Sequence, residues 1–242
     1  MKGIVLAGGS GSRLGPLTKT TSKQLLPIYD KPMIFYPLQT LYDAGIREIL
    51  LISTPEHIHL YRRLLEIHNW SGMNLHYLVQ ERPEGLPQAF IIGENFIGTD
   101  DVTLILGDNI FIGGQVSEEI SLMKSVKGAK IFGKRVLDPE RFGVAEINND
   151  HNVISLEEKP KEPKSDIAVV GLYVYDNTVV NKAKSLLPSE RGELEITDLN
   201  LSYLKEGNLD LVLIGNNCDW LDTGTFDSLL DASNLVRSRK RQ

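Results

Sequence analysis

One cysteine, Cys218, stands in 242 residues, so the chain can form neither an internal disulfide nor a multi-cysteine zinc site, and a reducing compartment suits it. No apolar run approaches the roughly 20 residues that span a bilayer. The start, MKGIVLAGG, passes into a glycine loop without the apolar length of a signal peptide, so the expectation is a cytoplasmic protein with no membrane partner. Cations do not prevail: 26 Lys and Arg face 32 Asp and Glu, a net charge of −6, which removes any general attraction for nucleic acid. The dense basic run RSRKRQ reads as cations favouring the carboxyl end of a last helix. Five histidines show no ligand spacing, since His57 and His59, two apart, point to different faces of a helix. The segment GGSGS lacks the G-x-S-x-G nucleophile elbow. The dinucleotide pattern begun at Gly9 and Gly11 needs glycine where Leu14 stands, and the P-loop pattern begun at Gly3 or Gly8 lacks its G-K-[ST] ending. A dehydrogenase and a P-loop kinase are both disfavoured.

What is present is an alternation. Apolar runs KGIVLA, EILLIST, LHYLVQ and VTLILGD alternate with helical patterns PMIFYPLQTLYDAG, PEHIHLYRRLLEIH and GLPQAFIIGENFIG. Continuous Val, Ile and Leu is the mark of buried parallel strands, so the expectation is an α/β fold with a mostly parallel, doubly wound Rossmann-like sheet and helices on both faces. Such a sheet carries ligands at its carboxyl edge. After Gly113 the rhythm turns strand-rich, through AKIFGKRV, GVAEINND, VISLEEK and DIAVVGLYVYD, which adds a small lobe. A last helix from Thr225 should bury Phe226, Leu229, Leu230, Ala232 and Val236. With no repeat or low-complexity linker, one domain over 1–242 is expected, its halves dividing at about 113.

The run LAGGSGSRLGPLTKTTSKQ is too poor in apolar side chains to fill a core. Its free backbone N–H groups suit an anion, with Arg13 offering a planar fork and Lys23 a point charge, together a cradle for a polyphosphate. Asp108, in VTLILGDN, ends an apolar strand and faces the ligand edge. Asp222, in DWLDTGT, ends a short strand before a helix, where it reads equally as a cap or turn residue. Two carboxylates from distant strand ends suit one Mg²⁺, which takes oxygen ligands and shares them with substrate phosphates.

With these residues assembled, the chain resembles the sugar-1-phosphate nucleotidyltransferases, in the branch that transfers thymidylyl groups to glucose 1-phosphate. The resemblance rests on LAGGSGSRL, SKQLLPIYDKPMI, LVQERPEGLPQAF, LGDN, PERFGVAE, LEEKP, VVGLYVYD, RGELEITD and WLDTGT, in order over nearly the whole chain. It implies that dTTP and glucose 1-phosphate become dTDP-glucose and pyrophosphate, feeding dTDP-rhamnose and surface polysaccharide. Carried over by motif, Gly8, Gly9, Gly11 and Arg13 hold the triphosphate, Lys23 lies at the reacting phosphates, Gln24 near the nucleotide's sugar, and Gln80 and Gly85 at the thymine edge. Arg13 and Lys23 are the implied catalytic cations. Asp108, also at the nucleotide, and Asp222 hold Mg²⁺, while Gly143, Glu158, Lys159 and Val169 hold the sugar phosphate. A homo-oligomer, dimer or tetramer, is implied.

The alternatives are uridylyl transfer, since uracil lacks only a methyl, and a non-catalytic nucleotide-sugar sensor, which a degenerate site would mark. The chain departs from its relatives at Gly15, Pro87 and Phe142, the last removing a hydroxyl near the sugar. Many relatives continue past the helix after WLDTGT into a segment that helps form a feedback site, so weak feedback by dTDP-rhamnose is expected.

Overall fold

The computed structural model describes every residue except Ser10, Asn69, Arg241 and Gln242; the end of the basic RSRKRQ run therefore lies outside the described residues. Strand β1 (Lys2–Ala7) leads through 3₁₀ turns at Ser12–Leu14, Leu17–Lys19 and Lys23–Leu25 to a short hairpin, β2 (Pro27–Ile28) and β3 (Lys31–Pro32). There follow α1 (Phe35–Asp43), β4 (Glu48–Ser53), α2 (Ile58–Ile67), β5 (Asn74–Val79), α3 (Gln88–Ile92), α4 (Glu94–Ile97), β6 (Val102–Leu106), β7 (Asn109–Gly113) and α5 (Val116–Leu122). The remainder is β8 (Ala129–Arg135), β9 (Gly143–Ile147), β10 (Val153–Glu158), β11 (Ile167–Tyr175), α6 (Val179–Ser185), α7 (Ile196–Lys205), β12 (Leu209–Leu213), β13 (Cys218–Asp222) and α8 (Phe226–Arg239). Strands alternate with helices and the class is α/β, as the apolar rhythm predicts. No described helix is long and apolar enough to cross a membrane.

Two compact units divide the chain. An amino-terminal unit comprises Gly3–Pro83, Ile105–Ser121 and Asn217–Gln242; a central unit comprises Met1–Lys2, Glu84–Leu104 and Leu122–Asn216. In the amino-terminal unit β4 lies between β1 and β5, parallel to both, with Ile4 opposite Leu50 and Leu50 opposite His76. Ile4, Val5, Ile49, Leu50, Leu51 and Ile52 have no exposed surface, each burial contributing about 1.5–3 kcal/mol. Alternation of exposed and half-buried residues in β5 is that of a strand with one wetter face. An antiparallel pair, β7 with β13, sets Asp222 opposite Asn109.

In the central unit β11 pairs antiparallel with both β8 and β9, β9 with β10, and β12 runs parallel to β8. Its core includes Phe90, Tyr175 and Tyr203, with ring centroids 5.2 Å apart for Phe90–Tyr175 and 5.6 Å for Tyr175–Tyr203. The fully buried Tyr175 hydroxyl donates to Asn200 Oδ1 at 2.6 Å, so the polar atom is matched.

Local differences from the sequence reading have physical causes. GLPQAFIIGENFIG forms two short helices, because Gly93 caps one and opens the next, glycine being a weak helix former. The apolar rhythm does not separate β7 from α5; Gly113 and Gly114 take φ of 74° and 68° between them, a turn open to glycine. On α8, Ala232 and Val236 are buried with Leu229 against Ile28, Met33, Tyr36 and Ile110. Phe226 and Leu230 stay 50% and 60% exposed, being about a quarter turn or more away from that stripe.

Candidate active site

The glycine loop is built from close approach as much as from dihedral freedom. A Cβ on Gly8 would stand 2.7 Å from Gln80 Oε1, which fixes the buried Gln80 side chain against the loop. Gly9 and Gly11 take φ of 91° and 57°, the left-handed region that only glycine enters without strain. At Gly11 a Cβ would also lie 2.9 Å from Thr18 Cγ2 and 3.3 Å from Lys23 Cβ. Thr18 Oγ1 closes the loop by donating to the Gly11 carbonyl at 2.9 Å. Arg13 is exposed, its guanidinium beside Gly224, where a Cβ would be 2.9 Å from Nη2.

Lys23 enters from the far end of the loop. Its ammonium meets Asp108 Oδ2 at 2.6 Å, with side-chain exposures of 8% and 24%. Asn109 Nδ2 donates to Asp108 Oδ1 at 3.0 Å, and Trp220 Nε1 donates to Asn109 Oδ1 at 2.7 Å. Thr223 Oγ1 donates to the Asp108 carbonyl at 3.0 Å. Asp222 pairs across from Asn109, and Asp108 is the residue directly before that position. The cap of α8 is Thr225, in a reciprocal box with Ser228. Among the described residues no cluster of three or more His, Cys, Asp or Glu could hold a metal. Two hard carboxylates, one at the end of β13 and one directly before β7, nonetheless match Mg²⁺ completed by phosphate oxygens and water.

The central unit carries a second cluster. Gly143 lies opposite Glu158 in the β9–β10 ladder and opposite Val169 in the β9–β11 ladder. A Cβ on Gly143 would be 3.4 Å from both Glu158 Oε2 and Thr197 Oγ1. Thr197, buried on α7, donates to Glu158 Oε2 at 2.6 Å. Burial, with the Glu158 charge adding, pushes the Tyr173 phenol far above its ordinary value, so it stays neutral. Lys159 takes φ of 45° directly after β10, its backbone N–H held by the Phe142 carbonyl at 3.0 Å and its ammonium 3.4 Å from Glu158 Oε1. Gly85 belongs to this unit and bridges Leu194, whose carbonyl oxygen would lie 2.0 Å from a Cβ there.

The nucleotidyl transferase family model matches residues 2–239. A glucose-1-phosphate thymidylyltransferase from Neisseria gonorrhoeae is 55% identical over 239 residues, 98% of this chain and 83% of that protein. The Mycobacterium tuberculosis enzyme of the same name is 51% identical over 242 residues, 100% and 84% of the two chains. The chain belongs to the glucose-1-phosphate thymidylyltransferase family. A Bacillus anthracis structure assigned the same enzyme name and solved with sucrose superposes with TM-score 0.90 at 45% identity, covering 98% and 95% of the two chains. UDP-glucose pyrophosphorylase, at TM-score 0.85 and 23% identity, shares the fold.

For a member of this thymidylyltransferase family, the residues drawn from sequence fall into three groups. Gly8, Gln24 and Gln80 meet behind the loop, Gly11, Lys23 and Asp108 meet at its far end, and Gly143, Glu158, Lys159 and Val169 meet in the central unit. Gly9 and Arg13 lie on the exposed side of the loop. Sequence reasoning missed Thr197, Asn109 and Trp220, which orient the two key carboxylates. RGELEITD and LGDN contain two of these residues, but only the fold brings Thr197 to Glu158, and no spacing in the sequence signals that contact.

Proposed function

We propose that this chain transfers a thymidylyl group from dTTP to glucose 1-phosphate, releasing pyrophosphate and forming dTDP-glucose. The observation that carries the reading is the 2.6 Å Lys23–Asp108 pair at the end of a glycine loop shaped by Gly8, Gly9 and Gly11. An oxygen of the sugar phosphate attacks the α-phosphorus of dTTP. The new P–O bond forms as the bond to the bridging oxygen breaks, and that oxygen leaves on pyrophosphate with the electron pair. A phosphate monoester, second pKa about 6, is mostly dianionic at pH 7, so no general base is needed. Positioning and charge neutralisation carry the rate.

Arg13 grips two phosphate oxygens with its fork, and Lys23 follows the charge as it moves toward the leaving group. Lys23 has three donors, so it can keep Asp108 while reaching a phosphate. Gln80 and the Gly85 backbone pair with the thymine edge, and Gln24 lies at the nucleotide's sugar. Glu158, held by Thr197, accepts hydroxyls of the glucose, the Lys159 ammonium meets its phosphate, and Gly143 and Val169 line its ring. Asp108 and Asp222 would hold Mg²⁺, which supplies charge neutralisation at the phosphates. The enzyme works in the cytoplasm as a homo-oligomer.

Uridylyl transfer is the second reading, because the methyl that separates thymine from uracil is a weak handle. The test is pyrophosphate release with Mg²⁺, glucose 1-phosphate and each of dTTP, UTP, CTP, ATP and GTP. The expected order of kcat/KM is dTTP first and UTP second; a lead by CTP or a purine would refute the base assignment.

A further inference from the structure

A directional relay of buried hydroxyls stands behind the glycine loop. Tyr61, on α2, has no exposed surface, and Ser22 and Gln24 are each 3% exposed. The Tyr61 phenol donates to Ser22 Oγ at 2.7 Å, the Ser22 hydroxyl donates to Gln24 Oε1 at 2.6 Å, and Gln24 Nε2 donates to the Gly8 carbonyl at 3.3 Å. Tyr61 Oη is also 3.1 Å from Gln24 Oε1, but the phenol has one proton, and the shorter contact takes it. The orientation of the amide is forced, and Ser53, whose hydroxyl donates to the Ala7 carbonyl at 2.8 Å, stands beside the phenol as well. The Gly8 carbonyl can only accept, so the amide nitrogen of Gln24 faces it. Oε1 then faces the two hydroxyls, and those must supply the protons.

Burial, with the Asp108 charge adding, pushes the Tyr61 phenol far above its ordinary value, so it remains a neutral donor. Thymidylyl transfer itself asks nothing of this phenol. An unmatched hydroxyl in this interior would be costly, yet the relay ends on an amide side chain and on the first glycine of the loop, both of them nucleotide contacts in the proposed reaction.

We propose that Tyr61 is a positioning residue for the nucleotide: acting through Ser22, it locks the Gln24 amide so that N–H, and not C=O, is offered to the nucleotide's sugar. This rests on the reading of Gln24 as a contact of that sugar. Removing the phenol proton frees the Ser22 hydroxyl to turn and the Gln24 amide to flip. The polyphosphate, held by backbone and cations, is untouched by either movement. The loss therefore falls on the nucleoside part of the ligand alone.

The experiment measures binding of dTTP and of inorganic triphosphate, which has no sugar or base, to the full chain with Mg²⁺ and to Tyr61→Phe, Ser22→Ala and Gln24→Met. A net hydrogen bond of about 0.5–1.5 kcal/mol corresponds to roughly two- to twelvefold. That is the expected weakening of dTTP in Tyr61→Phe and Ser22→Ala, with triphosphate binding within about twofold of the parent, since those phosphate contacts are unchanged. Equal weakening of both ligands would mean a damaged loop and overturn the proposal. Undiminished dTTP binding in Tyr61→Phe and Ser22→Ala, with Gln24→Met weakened, overturns it alone; undiminished binding in all three variants overturns the Gln24 reading as well. Should Tyr61→Phe fail to fold, Ser22→Ala tests the relay, leaving the amide only the longer 3.1 Å contact with the phenol: weakened dTTP binding with triphosphate binding kept supports action through Ser22, and parental dTTP binding overturns it.

Discussion

Two lysine–carboxylate pairs, one in each compact unit, are built in opposite ways. Lys23 is 8% exposed and 2.6 Å from Asp108; Lys159 is 52% exposed and 3.4 Å from Glu158. A largely buried ammonium is strongly destabilising when its partner is removed, so Lys23 and Asp108 hold each other in place before any ligand arrives. A mostly exposed pair is worth about 0–1 kcal/mol, so Lys159 can leave Glu158 at little cost. The carboxylates differ in the same sense. Asp108 is fixed by an amide that an indole fixes in turn, whereas Glu158 has a single threonine hydroxyl and a loose ammonium. The amino-terminal unit holds a rigid pair and the central unit a loose one, which is the division that the proposed roles, triphosphate for the first and sugar phosphate for the second, require. Preorganisation of that first kind is what stabilises a charge-shifting transition state.

The contrast between the pairs predicts a graded series of losses. The largest should follow Asp108→Asn and Asp222→Asn: losing a ligand that helps neutralise transition-state charge costs several kcal/mol, on the order of a thousandfold in kcat. Asp222→Asn should melt within a few degrees of the parent, whereas Asp108→Asn should melt lower because it strips the largely buried Lys23 of its carboxylate; near-normal turnover of either at saturating Mg²⁺ would remove that residue from the metal site. Lys23→Met comes next, with kcat about 10²–10³ lower and a lowered Tm because Asp108 loses its partner; an unchanged Tm would mean that the pair is not a rigid element. Gly8→Ala should displace Gln80 and raise KM for dTTP about tenfold, a change near 1.4 kcal/mol, leaving KM for glucose 1-phosphate unaltered; a shift in the latter instead would assign Gly8 to the wrong substrate. The smallest effect belongs to Lys159→Met, whose stability should stay within about 0.5 kcal/mol of the parent while KM for glucose 1-phosphate rises several-fold. A large loss of stability there would contradict the loose pairing.

Much of this arrangement was legible in the sequence, for reasons that can be named. Continuous Val, Ile and Leu in β1 and β4 announced parallel buried strands, and Asp108 at the end of VTLIL announced a carboxylate at the strand's carboxyl end. The glycines at 9 and 11 were legible because positive φ leaves a compositional trace. Gly8 and Gly85 were not legible in the same way: each is required by one distant partner, Gln80 and Leu194, and no local pattern encodes that approach. The same holds for Thr197 under Glu158 and for Tyr61 behind Gln24, separated by 39 and 37 residues. On α8 the apolar residues overstate the buried face, because Phe226 and Leu230 meet the apolar pattern but not the core. Periodicity reports the element, and only packing reports which side of it is covered.

Initial rates over a grid of dTTP and glucose 1-phosphate concentrations, for the parent, Lys23→Met and Lys159→Met, test the division of labour most directly. If the two pairs serve different substrates, Lys23→Met loses mainly kcat and dTTP affinity, while Lys159→Met keeps the parent's KM for dTTP and raises only that for glucose 1-phosphate. Equal changes in both KM values for Lys159→Met, or a Lys23→Met enzyme with parental kcat, would contradict it.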